Sequence, residues 1–84
     1  MIDRFKECVS DLNIPKGWED ISYRNDACPS WLYNDFQIMI LHPDPANRDH
    51  CLLDWPRFNI FHGEDSTRLV GQFETLNEVI ERVK

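Results

Sequence analysis

The sequence predicts an α+β fold: an N-terminal helix, a mostly antiparallel sheet of about four strands, and a C-terminal helix, with both helices on one face of the sheet. Three observations predict it. Apolar residues recur at helical spacing at both ends of the chain. Between those ends lie short runs rich in aromatic and β-branched residues, separated by Asn-Asp, Gly and Pro punctuation. The 84 residues are 42% hydrophobic and 12% aromatic, which suits one dense core, so a single domain over 1–84 is expected.

The first helix is expected over 2–12. Ile2, Phe5, Val9 and Leu12 share one helical face, and Cys8 borders it. Asn13, Ile14 and Pro15 make a stop signal, since Asn tolerates the left-handed conformation and Pro cannot continue a helix. After the turn at Lys16-Gly17, the span 18–25 carries Trp18, Ile21 and Tyr23 among polar residues, a strand signal. Asn25 to Ser30 reads as a loop. Trp31-Leu32-Tyr33 and the span 36–42 flank Asn34-Asp35, two residues that tolerate positive φ, and so form a hairpin. The second of those strands is apolar on both parities and is expected to be central.

The stretch 43–50, with two prolines and an Asn-Arg-Asp run, is expected to hold no regular structure. Residues 51–56 are apolar but closed by Pro56, and no element is assigned to them. Arg57 to His62 alternates as a strand, 63–66 turns, and Thr67 to Phe73 returns, with Leu69 and Phe73 on one parity. The last helix has a clear start. Thr75 and Glu78 have capping-box spacing, and Leu76, Val79, Ile80 and Val83 form one face. Glu78 and Arg82 are spaced for an i,i+4 ion pair. Trp18 and Trp31 are expected in the core, whereas Trp55, between Asp54 and Pro56, could equally face a partner.

Fifteen acids against nine bases give a net charge of −6. Phosphate contacts need Lys and Arg, so direct nucleic-acid binding is disfavoured, as is an anionic membrane surface. No apolar run reaches the roughly 20 residues that span a bilayer. The first residues read as an amphipathic helix start and not as a signal sequence, so an unprocessed, cytoplasmic chain is expected. Cys8, Cys28 and Cys51 are odd in number and irregular in spacing, a poor disulfide framework.

Chemistry-bearing motifs are sparse. Gly17, Gly63 and Gly71 lie far apart, so neither phosphate-binding nor dinucleotide-binding loops occur. Cys28, Cys51, His42, His50 and His62 show no C-x-x-C or H-x3-H pair. His50 and Cys51 are adjacent, and in a strand adjacent side chains point to opposite faces; no metal, cofactor or catalytic residue is assigned. A thiol nucleophile at Cys28 would need a base, and nearby Asp26 would raise its pKa.

The acids are more suggestive. Asp3, Glu7 and Asp11 recur on the first helix and Glu74, Glu78 and Glu81 on the last, a like-charge spacing that costs a helix a few tenths of a kcal/mol per pair. The ordinary reading is a solvated helix face. The functional reading is a negative surface that captures a basic protein. On that reading the chain is a non-catalytic binding module of the inhibitor or immunity-protein kind. Its contact surface comprises Asp3, Glu7, Asp11, Asp44, Asp49, Trp55, Glu74, Glu78 and Glu81. The alternatives are a small Cys/His-dependent enzyme or metal protein, and a homo-oligomeric structural subunit pairing through a strand edge.

Overall fold

The computed structural model describes residues 5–23 and 25–84. The first helix, α1, spans Lys6–Val9; the second, α2, spans Leu76–Val83. Between them, five strands, not four, form one antiparallel sheet whose spatial order is the chain order: β1 Glu19–Asp20, β2 Ser30–Tyr33, β3 Phe36–Ile40, β4 Phe58–His62 and β5 Asp65–Phe73. Of the 18–25 span, which carries a strand signal, only Glu19–Asp20 pairs, with Leu32 and Trp31. Beyond it Ile21 still donates to the Ser30 carbonyl at 3.1 Å, but the Asp20 carboxylate takes the Ser22 amide at 2.9 Å and turns the chain away from the ladder.

The first helix is shorter than its periodicity predicts. Ile2 and Asp3 lie outside the described residues. At the other end α1 stops at Val9, well before Asn13. In an α-helix the Cys8 carbonyl would accept from Leu12. Instead Arg57 Nη2 takes that carbonyl at 2.8 Å, and the Leu12 amide falls back on Val9 O at 3.0 Å. A cation from a distant strand edge thus ends the helix before its sequence stop signal is reached.

The β2–β3 hairpin forms as its turn chemistry predicts: Asn34 and Asp35 sit at φ 51° and 66°, the double positive-φ turn that matches strand twist. Trp31, Ile38 and Ile60 stand side by side across β2, β3 and β4, as do Ile40 and Phe58. These residues are buried in one cluster with Cys8 and Val9 of α1 and Val79 and Val83 of α2. Each large aliphatic or aromatic side chain sealed there contributes roughly 1.5–3 kcal/mol. Trp31 belongs to this core, while Trp18 is half-buried at its edge and packs on Tyr33 with ring centroids 6.1 Å apart.

Three further expectations are corrected. Leu69 and Phe73 do not share a face, because a bulge between the Ile60–Gly71 and Phe61–Leu69 pairs shifts the alternation by one residue. Phe73 and Val70 therefore pack on the core while Leu69 is left exposed. The 43–50 stretch is not structureless: Pro45–Asn47 and His50–Leu52 form short 3-10 turns, capped by the carboxylates of Asp44 and Asp49 on the amides of Ala46 and Cys51, each at 3.0 Å. Glu78 does not pair with Arg82. Its carboxylate is drawn into the capping box with Thr75, and Arg82 lies over the Phe36 ring at 5.2 Å.

The two hairpin turns are stitched together at one end of the sheet. Gly63 N donates to Asp35 O at 2.7 Å, and Gln37 Nε2 donates to the carbonyls of His62 and Gly63 at 3.3 and 3.1 Å. A Cβ on Gly63 would stand 2.5 Å from the Asp35 carbonyl oxygen, which is backbone and cannot rotate away. Gly63→Ala is therefore expected to lower stability by about 2 kcal/mol in urea denaturation. Gly71→Ala should cost less, since its Cβ would meet only the Phe73 ring, a side chain that can shift.

Candidate functional site

Strand alternation puts Ser30, Gln37, Met39 and Phe61 on the opposite side of the sheet from Trp31, Ile38 and Ile60. The 41–57 connection returns onto this side. Asn59, fully buried, donates to Pro56 O at 2.9 Å and accepts from Gln72 Nε2 at 2.9 Å. Trp55 then lies against Phe61, with ring centroids 6.4 Å apart. The connection is strapped by Arg48, whose Nε reaches His42 O at 2.7 Å and whose Nη1 reaches Trp55 O at 3.1 Å. Asp44, Asp49 and Trp55 all ride on this strapped segment, and half-exposed Leu53 accompanies them.

Beside Phe61 the sheet opens into a cleft of about 230 Å³, lined by Asp26, Cys28, Ser30, Gln37, Met39 and Ser66 as well as Phe61 itself. The Asp26 end is built by a tight turn. The Tyr23 amide donates to Asp26 Oδ2 at 3.0 Å, the Asp26 amide donates back to Tyr23 O at 3.0 Å, and Tyr23 is left 74% exposed. Gln37 is held by the hairpin stitch described above. The cleft thus has an apolar wall, a fixed amide and one carboxylate.

The surroundings of Cys28 disfavour its thiolate. Burial pushes its pKa up to about 12, with Cys8 and Asp26 adding in the same direction, so it stays protonated at neutral pH. Cys51 is exposed, and its thiol is also raised, chiefly by the hydrogen bond to Asp49.

The helix acids are not all available to a partner. Asp3 lies outside the described residues. Asp11 is held in a two-point ion pair with Arg57, Oδ2 to Nη1 at 2.9 Å and Oδ1 to Nη2 at 2.7 Å, which keeps its carboxyl below the usual range. Glu78 serves the α2 cap and Glu81 pairs with Lys84 at 3.0 Å. Glu7 and Glu74 are exposed. The structure therefore collects Asp44, Asp49 and Trp55 on one connection and engages Asp11, Glu78 and Glu81 locally. Sequence reasoning missed the cleft. Asp26, Gln37 with Met39, and Phe61 come from three separate segments, and no spacing in the chain announces their meeting.

No family model matches the chain, and no curated protein or solved structure is significantly similar to it. Among the described residues, no helix is long and apolar enough to cross a membrane.

Proposed function

We propose that the chain is a non-catalytic protein-binding module that docks on a partner with a basic surface. In this reading both helices cover one face of the sheet, and the other face, around Trp55 and Phe61, does the docking. One observation carries it: Trp55 packs on Phe61, and Phe61 is one wall of a cleft that Asp26 also lines. At about 230 Å³ the cleft is smaller than the roughly 300–1,000 Å³ of small-molecule pockets and suits a single inserted side chain. A lysine or arginine fits its chemistry, with the aliphatic stem along Met39 and Phe61 and the cationic head at Asp26. The net charge of −6, with Asp44, Asp49 and Asp54 on the same connection as Trp55, favours encounter with a basic surface. The protonated, buried Cys28 in the same cleft supports binding over thiol chemistry.

The test begins with affinity capture from the native host by the wild-type chain, with Asp26→Asn and Trp55→Ala as parallel baits. A partner bound by the wild type should lose about tenfold in affinity with Asp26→Asn and about 30-fold with Trp55→Ala. Its affinity should also fall as salt is raised from about 50 to 500 mM. A partner held equally by all three baits, or one whose affinity is flat with salt, would falsify this assignment.

A further inference from the structure

The turn at Asp49–Leu52 brings three different metal-binding groups together that the sequence places merely side by side. Had His50 and Cys51 been in a strand, their side chains would have diverged. They instead open a 3-10 turn, and its curvature swings them to the same side: Cys51 Sγ and His50 Nε2 are 3.5 Å apart. Asp49, whose carboxylate caps the turn, lies 3.5 Å from His50 Nδ1. One donor atom from each of the three residues falls within 4.8 Å of the others, and all three residues are exposed.

We infer that Asp49, His50 and Cys51 form a binding site for a divalent transition-metal ion of the zinc class. A tetrahedral zinc has Zn–S near 2.3 Å and Zn–N near 2.0–2.1 Å, which sets its S–N edge at roughly 3.6 Å. The Cys51–His50 separation already matches that edge. The donor set of one thiolate, one imidazole and one carboxylate selects zinc or cobalt over magnesium or calcium, which take oxygen alone. Asp49 faces the other ring nitrogen, Nδ1, so bringing all three donors to one ion requires the 88% exposed His50 ring or the 42% exposed Asp49 side chain to turn, which leaves the core undisturbed. Coordination replaces the thiol proton: the Cys51 S–H bond breaks, an S–metal bond forms, and the proton passes to the buffer. Three protein ligands leave the remaining position to water or to a group from another molecule. This site stands on its own geometry, whether or not the Trp55 surface docks on a protein.

Cobalt(II) is the probe. The chelator-stripped full chain, kept reduced, is titrated with Co2+ and followed by absorption. The expected result is a thiolate-to-cobalt charge-transfer band with intense tetrahedral d–d bands, saturating at one ion per chain and bleached by Zn2+. Cys51→Ser should abolish the charge-transfer band, and Cys28→Ala should leave it intact. His50→Ala and Asp49→Asn should each weaken affinity by about 10–100-fold. Asparagine caps a turn as well as aspartate does, so a loss with Asp49→Asn reports coordination and not unfolding. Circular dichroism of each variant confirms that the fold is kept. Absence of the band at excess cobalt, its survival in Cys51→Ser, or only the weak bands of an all-oxygen octahedral ion would each overturn the site.

Discussion

Replacing Arg57 by alanine is expected to remove about 3 kcal/mol of stability and to lower Tm by roughly 12–20 °C, measured by urea and thermal denaturation. No other side chain ties together as many separate parts of the described chain. Its Nε holds the Leu41 carbonyl at 3.1 Å where β3 gives way to the long connection. Its Nη2 holds Cys8 O in the last turn of α1. Both terminal nitrogens grip Asp11, and the guanidinium lies 5.2 Å from the centre of the Phe58 ring. With only 13% of the Arg57 side chain exposed, deletion removes both carbonyl contacts from a poorly hydrated place. The Asp11 side is half solvent-exposed, so screening keeps its own share near 1 kcal/mol, the loss expected for Asp11→Asn. The variant also has a pH signature. Asp11 is lowered in the folded state, so its stabilisation is complete above the unfolded carboxyl value of about 3.9 and fades as pH falls through the lower folded value. The gap between wild type and Arg57→Ala should therefore narrow in acid. A gap of unchanged size at pH 7 and pH 3 would mean that the ion pair contributes nothing and that only the carbonyl contacts matter.

The same residue shows why parts of the fold were legible in the sequence and others were not. Local rules govern what is local. The Asn34-Asp35 turn, the Thr75–Glu78 capping box and the apolar faces around Val79 and Val83 depend on residues within one turn of each other, and each forms as its spacing predicts. The end of α1 depends on Arg57, 49 residues from Cys8, and no periodicity within 2–12 encodes it. The bulge in β5 is also tertiary. Alternation alone puts Leu69 with Phe73, whereas packing Val70 against the core demands one extra residue in the strand.

The candidate site was half legible for a similar reason. Trp55 between Asp54 and Pro56, and the acids Asp44 and Asp49, stand out as sequence features and do ride on one strapped connection. The cleft beside them draws Asp26 from a loop, Gln37 and Met39 from β3 and Phe61 from β4, and only the sheet's register joins them. The helix stripes show the converse limit of spacing. Spacing places Glu78 and Glu81 on a surface, but it is silent on whether a cap or a neighbouring lysine already engages them. Extended geometry would separate the side chains of His50 and Cys51, but the Asp49 carboxylate caps this segment as a 3-10 turn.

Asn59 is where the fold and the proposed docking face meet, and Asn59→Asp is expected to cost 3 kcal/mol or more at neutral pH. The native amide faces an acceptor on one side and a donor on the other: Nδ2 gives to Pro56 O, and Oδ1 receives from Gln72. An isosteric carboxylate keeps the Gln72 contact but turns a second oxygen on the Pro56 carbonyl, at a site with no exposure to water. Asn59→Ala, which merely leaves both partners unmet, should cost about 2 kcal/mol. The two variants separate by pH. Burial raises the folded pKa of the introduced carboxyl above its unfolded value of about 3.9, and once protonated it can donate to Pro56 O as the amide does. Its favourable contribution is then complete below the unfolded value and is lost as pH rises through the folded one. Asn59→Asp should accordingly approach wild-type stability near pH 4 and fall away towards pH 7, while Asn59→Ala runs parallel to the wild type. Because Pro56 adjoins Trp55, loosening this contact should also shift tryptophan emission and weaken binding of any partner captured through Trp55. Urea midpoints for Asn59→Asp that track the wild type from pH 4 to pH 8 would show that the connection does not seal this side of the sheet, and the placement of Trp55 on Phe61 would lose its anchor.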